Sequence, residues 1–255
     1  MKTHFHSFFI ALLAALISLN GVAIAEEKAT KADKEAAAQP DADGWYSLFN
    51  GKDFSGWKKS EDNPDTFQVI DGEIVVKGPR SHLYYVGPVN GGKFKNFEWK
   101  CEIMTKPNAN SGMYFHTQYQ KDGWPKHGPE VQINNSHDDP RKTGSLYRAK
   151  DIMNDSPAKD NEWFTQHVIV KGRKVTVKVN DKVVNEFTES KPPVRDAGYE
   201  QNVVSSGTFA LQGHDPGSEV HFRKVMVKPL PDKKGKGKKG EGKAEKANKK
   251  KAKSA

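Results

Sequence analysis

Cysteine is almost missing: Cys101 is the only one in 255 residues. No intramolecular disulfide can form, and no cysteine stands near the N-terminus to carry a lipid anchor. Cys101 shares its face of an alternating stretch with Trp99 and Ile103, so it reads as a small core residue rather than a reactive thiol. Long apolar runs are equally scarce. The one from Phe8 to Leu19 is too short and too weakly flanked to span a membrane. With its basic start and the small-residue exit Ala23-Ile24-Ala25 it predicts a signal peptide over 1–25, hence export to the periplasm or beyond and a mature protein without a membrane span. Net charge is absent from the body of the chain, where basic and acidic residues balance. Residues 233–255 carry eleven lysines against two glutamates, which is the whole of the net charge of +9. That stretch, the bulk of a Lys-rich tail over 230–255, has no aromatic and no apolar residue larger than alanine. It cannot bury enough surface to offset its ordering entropy and is expected to be disordered. Its charge suits adhesion to anionic envelope polymers or plain solubilisation. The interleaved aromatics of single-strand binders are missing, so no specific nucleic-acid partner is expected.

Helical periodicity is also rare; what the chain has instead is period two. After a charged, Ala-rich linker (26–43), aromatics, β-branched residues and turn dipeptides recur at short spacing over 44–229, enough chain for one domain with a substantial core. Phe67–Ile70 and Glu73–Val76 flank Asp71-Gly72, a strong hairpin signal. Trp163–Val170 and Lys174–Val179 flank Lys171-Gly172-Arg173, with Asn180-Asp181 as the next turn, and Thr208–Gln212 and Glu219–Val227 close the domain. Strands without intervening helices predict an all-β, antiparallel sandwich. The glycines near 87–92 and 205–207 are turns, since no helix follows to make a phosphate loop.

Alternation places functional groups on single faces. In "GPEVQIN" (128–134), Val131 and Ile133 point one way and Glu130, Gln132 and Asn134 the other. Tyr114 and His116 share a face of 110–116, Gln212 and His214 a face of 210–214, and His221 and Arg223 a face of 220–225, where Val225 joins the apolar set only if the strand is locally irregular. Set side by side, such faces form a concave floor of amides, carboxylate and aromatics suited to sugar hydroxyls and C–H faces. His127 and His137 lie in turn-rich loops, where they could rim the floor or join Asp138 and Asp139 around a divalent cation, although their spacing matches no metal signature. Trp57 reads as core and Trp124 as a candidate sugar platform; His167 and His221 read as surface or packed residues.

The segments "LFNGKDFSGW" (48–57), "NSGMYFH" (110–116), "GPEVQI" (128–133), "TGSLY" (143–147), "GTFALQGH" (207–214) and "VHFRKV" (220–225) occur in that order. Over Gly44 to Pro229 the chain resembles the 3-keto-disaccharide hydrolase domain family, formerly a domain of unknown function. The resemblance implies a concanavalin-A-like, laminarinase-like jelly roll. It also implies action on 3-keto-glycosides that a partner dehydrogenase oxidises at C3. Two positions depart from the family's pattern: His116 stands where arginine is usual, and Trp163-Phe164 where Trp-Asn is usual.

A direct glycosidase needs two carboxyl groups, about 5 Å apart for retention and about 6.5–9.5 Å for inversion. On the strand of Glu130 the neighbours Gln132 and Asn134 supply no second one. A 3-keto sugar does not require it: the ketone acidifies C2–H, a base removes that proton, the C1 substituent leaves, and water adds. Glu130 is the candidate base, and His116 or His214 the candidate acid. Tyr114, Gln132, Gln212 and Arg223 are candidates to hold the keto oxygen or hydroxyls, Arg223 being equally readable as a structural strut. Two other readings stay open: a non-catalytic carbohydrate-binding module on the same sandwich, and an envelope adhesion protein.

Overall fold

The computed structural model describes residues 39–232; the segments expected to be signal peptide, most of the linker and the Lys-rich tail lie outside them. Thirteen strands are present among the described residues: β1 (Tyr46–Ser47), β2 (Trp57–Lys59), β3 (Phe67–Ile70), β4 (Glu73–Lys77), β5 (Ser81–Tyr85), β6 (Phe97–Thr105), β7 (Asn110–Thr117), β8 (Glu130–Asn134), β9 (Phe164–Lys171), β10 (Lys174–Val179), β11 (Lys182–Thr188), β12 (Thr208–Gly213) and β13 (Glu219–Pro229). They form two antiparallel sheets. The larger runs β11-β10-β9-β6-β13-β4-β3, with β1 also on β13, and the smaller runs β2-β5-β12-β7-β8.

The turn chemistry predicts the hairpins correctly. Ile70 pairs with Glu73 across Asp71-Gly72, both of which have positive φ (51° and 81°), as a two-residue primed turn demands. Asn180 and Asp181 do the same between β10 and β11. The irregularity required by Val225 is real: the β13–β6 register shifts between Arg223 and Met226, with Lys224 at φ 48°.

The inner faces meet in one core. Trp99 of β6 stacks on Phe209 of β12 with centroids 4.3 Å apart, joining the sheets. Met113, Phe115, Val131, Ile133 and Leu211 face Phe97, Ile103 and Phe222 in full burial. Cys101 is buried there too, and burial pushes its thiol far above the ordinary range. Phe164, the second family departure, is a core residue at the start of β9.

The sheets differ in what covers their outer faces. In β6 and β9 buried and half-buried residues alternate, as expected of one wet face. In β7, β8 and β12 every residue is buried. The outer side of the smaller sheet is therefore roofed, and its polar side chains sit inside the molecule. The free edge of β8 is covered as well. Backbone bonds from Thr143 N to Asn134 O, Gly144 N to Gln132 O, Gln132 N to Ser145 O and Tyr147 N to Glu130 O, each 3.0 Å, lay the "TGSLY" segment along it.

Candidate active site

Register sets the floor of the cleft in rows. Tyr84, Ala210, Tyr114 and Glu130 lie opposite one another across β5, β12, β7 and β8. In the next row His82 pairs with Gln212 and Gly112 with Gln132, and Asn110 pairs with Asn134 beyond. Glu130 leans over Gly112, where it has room only because that residue has no side chain: a Cβ there would come within 2.1 Å of Glu130 Oε1. From this position the carboxylate reaches two neighbouring strands. Tyr114 Oη donates to Oε2 at 2.7 Å, and Gln212 Nε2 donates to Oε1 at 3.0 Å and to Tyr114 Oη at 3.1 Å. Gln132 Nε2 donates to Asn110 Oδ1 at 3.2 Å.

Glu130 is 7% exposed. Burial pushes its carboxyl up to about 7, winning over the two hydrogen bonds that stabilise the anion. Burial, with the charge of Glu130 second, drives the Tyr114 phenol well above its usual range, so Tyr114 stays a donor. The result is a carboxyl that exchanges its proton near neutrality while its orientation is fixed by two donors.

A cavity of about 270 Å³ opens above these residues, lined by Asn110, Tyr114, Glu130, Gln132 and Gln212 from the sheet, by His214 just past the end of β12, and by Trp124, Asp139, Tyr147, Tyr199 and Asn202 from the loops. Sequence reasoning named Trp124 as a candidate sugar platform, and Asp139 only as a partner for a cation; it missed Gly112, Tyr147, Tyr199 and Asn202. Alternation carries no signal for them; only the closeness of "TGSLY" to β8 could have suggested Tyr147. The Tyr199–Asn202 wall is tied down twice. Asn202 Nδ2 donates to Gly128 O at 2.9 Å, and Arg195 Nη1 donates to Glu189 Oε1 at 2.9 Å within a fully desolvated pair.

Three residues of the expected polar faces lie elsewhere. Arg223 is on β13, which belongs to the larger sheet, and faces outward; its Nε donates to Glu102 Oε2 at 2.7 Å and its guanidinium covers Trp163 at 3.9 Å. His221 likewise sits between Glu73 and Glu219 on that outer face. A period of two fixes which residues share a face but not which sheet a strand joins. His116 has φ 56°, which turns its ring against Phe97 and away from the Glu130 network. Both ring nitrogens are engaged with backbone, Nε2 with Lys95 O at 3.0 Å and Nδ1 with Ser205 N at 2.9 Å, and burial lowers its pKa to about 4. It is a neutral staple, not an acid. It lines a separate groove of about 700 Å³ that includes Tyr85, Tyr119 and His127 and to which neither Glu130 nor His214 contributes.

For a cation, the fold does not group His127 with Asp138 and Asp139. The one candidate cluster among the described residues is His137, His214 and Asp215, whose ligand atoms lie within 4.8 Å of one another. The hydrogen bonds fit it poorly to a metal. His137 Nδ1 accepts Asp139 N–H at 3.1 Å, so the neutral ring carries its proton on Nε2, the atom that faces Asp215. A ligand nitrogen must be bare.

The profile of a family described as "3-keto-alpha-glucoside-1,2-lyase-like domain" matches residues 44–228. A Bacteroides thetaiotaomicron protein named 3-keto-disaccharide hydrolase is 28% identical, over 84% of this chain and 88% of its own length. A solved structure from Parabacteroides distasonis, assigned provisionally as a glycosyl hydrolase, superposes with TM-score 0.64 at 26% identity, covering 76% of this chain and 99% of that one. A second from the same organism, with the same provisional assignment, gives 0.57 at 20% identity over 73% and 99% and bears on the fold alone.

Proposed function

Because the chain belongs to the 3-keto-alpha-glucoside-1,2-lyase-like domain family, we propose that it cleaves 3-keto-glycosides by elimination across C1–C2, followed by hydration. The observation that carries this reading is Glu130: one buried carboxyl, raised to about 7 and aimed by Tyr114 and Gln212 into a sugar-sized cavity.

Glu130 takes the C2 proton, which the adjacent ketone acidifies. The C2–H electron pair becomes the C1=C2 bond as the glycosidic C1–O bond breaks, and the leaving oxygen takes a proton from His214, which lines the same cavity. Gln132 and Asn110, already bonded to each other, face the sugar hydroxyls or the keto oxygen. Stopping at the unsaturated sugar is a lyase reaction. Returning the Glu130 proton to C2 while His214 helps water add at C1 gives net hydrolysis and resets both groups. The lyase in the family's description and the hydrolase in the relative's name thus differ by one step.

Asp139 favours a second reading, since it places another carboxylate on the cavity wall. Direct displacement would use Glu130 and Asp139 together. Against it, Asp139 Oδ1 already accepts Arg141 N–H at 2.8 Å and pairs with the Arg141 guanidinium.

Supply of a 3-keto-glycoside requires an upstream sugar 3-dehydrogenase, and the expected export signal puts the reaction outside the cytoplasm. Purified protein incubated with 3-keto-trehalose or a 3-keto-glucoside should release the glycone and leave the unoxidised parent glycoside intact. Folded protein that binds these sugars without turnover would make it a binding module, and this reading wrong.

A further inference from the structure

The geometry points to Asp215 as the positioning residue that makes His214 the proton donor at the leaving-group end of the cleft. This inference rests on the elimination reading and adds to it a direction for the substrate: C2 over Glu130, the aglycone toward His214 and Trp124.

His214 follows the last residue of β12, and three neighbours fix its ring. Nδ1 lies 2.8 Å from Asp215 Oδ2. Trp124 lies against one side with centroids 5.3 Å apart, and His137 stands edge-on at 5.7 Å. Asp215 is itself immobilised: Ser218 Oγ donates to Oδ2 at 2.7 Å and Gly217 N to Oδ1 at 2.9 Å. Ser218 Oγ in turn accepts Asn110 N–H at 2.9 Å, so the turn between β12 and β13 is pinned to the first residue of β7, on the cleft floor. A carboxylate held by so many donors stays ionised despite burial. Facing it, Nδ1 keeps its proton, and Nε2 is the ring nitrogen left for the cavity. His137 adds an N–H directed at the same Asp215 oxygen from 4.0 Å, by the tautomer its backbone bond dictates.

In the reaction, Nε2–H transfers its proton to the glycosidic oxygen as C1–O breaks, and Nδ1–H stays on Asp215. The ring is left neutral with a lone pair at Nε2, ready to take a proton from the water that adds at C1. Asp215 never changes protonation. Its role is to hold the tautomer and stabilise the imidazolium. Trp124 beside His214 offers an apolar face to the aglycone.

An acid matters in proportion to how poor the leaving group is, and that makes the inference testable. Turnover of methyl 3-keto-glucoside and 4-nitrophenyl 3-keto-glucoside is compared in wild type and Asp215→Asn, together with C2–H exchange in D₂O of 3-keto-1,5-anhydroglucitol, which has no leaving group. The expected result is a kcat loss of about 10²–10⁴ for the methyl glycoside, about tenfold or less for the nitrophenyl glycoside, and unchanged exchange. His214→Gln should repeat the pattern and guards against an Asp215 variant that misfolds. Equal losses on both glycosides, or a change in KM alone, would overturn the assignment while leaving elimination standing. Activity lost to a chelator and restored by zinc would also overturn it, making the cluster a metal centre. A wild type that exchanges no C2 proton and cleaves neither glycoside overturns both readings.

Discussion

Gly112 and Glu130 compete for the same space on adjacent strands: a methyl on Gly112 would sit 2.1 Å from Glu130 Oε1. The atom in the way is the far end of a flexible side chain, so the clash is relieved by moving the carboxylate rather than the backbone. Gly112→Ala should therefore fold, at a cost of about 1–3 kcal/mol, but pull Glu130 off Gln212 and lower kcat about a hundredfold or more. Melting curves and kinetics on the same sample separate the two effects.

The raised carboxyl of Glu130 has consequences of opposite sign for activity and stability. As a base it must be ionised, so kcat/KM should climb with pH through about 7. In the unfolded chain the group titrates near 4.5 and in the folded one near 7, so folding favours its neutral form. That stability is fully present below about pH 4.5 and is lost as pH rises through 7, on the order of 3 kcal/mol in all. Glu130→Gln should lower turnover about 10²–10⁴-fold. Measured by urea unfolding, it should also gain stability relative to wild type between pH 4.5 and 8. Gln212 can accommodate the new amide by flipping, since its Oε1 has no protein partner among the described residues.

The Glu189–Arg195 pair, 2% and 4% exposed at the side chains, anchors the wall that carries Tyr199 and Asn202. Arg195→Met leaves a buried carboxylate without its partner and should cost about 3–5 kcal/mol, with KM rising in whatever folds. Replacing both residues by apolar ones should cost less than Arg195→Met alone, which a double-mutant cycle in denaturant would read directly.

On the outer face of the larger sheet, Arg223→Ala breaks the bond to Glu102 and uncovers Trp163. Because the pair is half exposed, the loss should be about 1 kcal/mol or less, and steady-state kinetics should match wild type.

What could be read from sequence follows from what period two encodes. Val131 and Ile133 against Glu130, Gln132 and Asn134 revealed β8 and its buried polar face, and Asp71-Gly72 revealed a hairpin to the residue. Tyr114 and Gln212 were legible for the same reason, and both now bond to Glu130. Arg223 was misplaced because alternation cannot say which sheet takes a strand. His116 was misplaced because one residue with positive φ ends the alternation. Tyr199 and Asp215 sit on loops whose course is fixed by distant partners such as Gly128 and Asn110, and nothing local announces that; Trp124 was legible as an aromatic platform, but not its place beside His214. Gly112 matters through what it lacks, and its place in the alternation gives no hint of that.

The central claim is that the bond to C2–H breaks on Glu130 before the glycosidic bond is replaced. A 3-keto-glucoside deuterated at C2 tests it most directly, in competition with the unlabelled sugar. Wild-type protein should consume the deuterated substrate more slowly, and water should take up the label that leaves Glu130 before its proton returns to C2. Equal rates, with every deuterium still on C2 of the released sugar, would contradict the account and return the reaction to Glu130 and Asp139 acting by direct displacement.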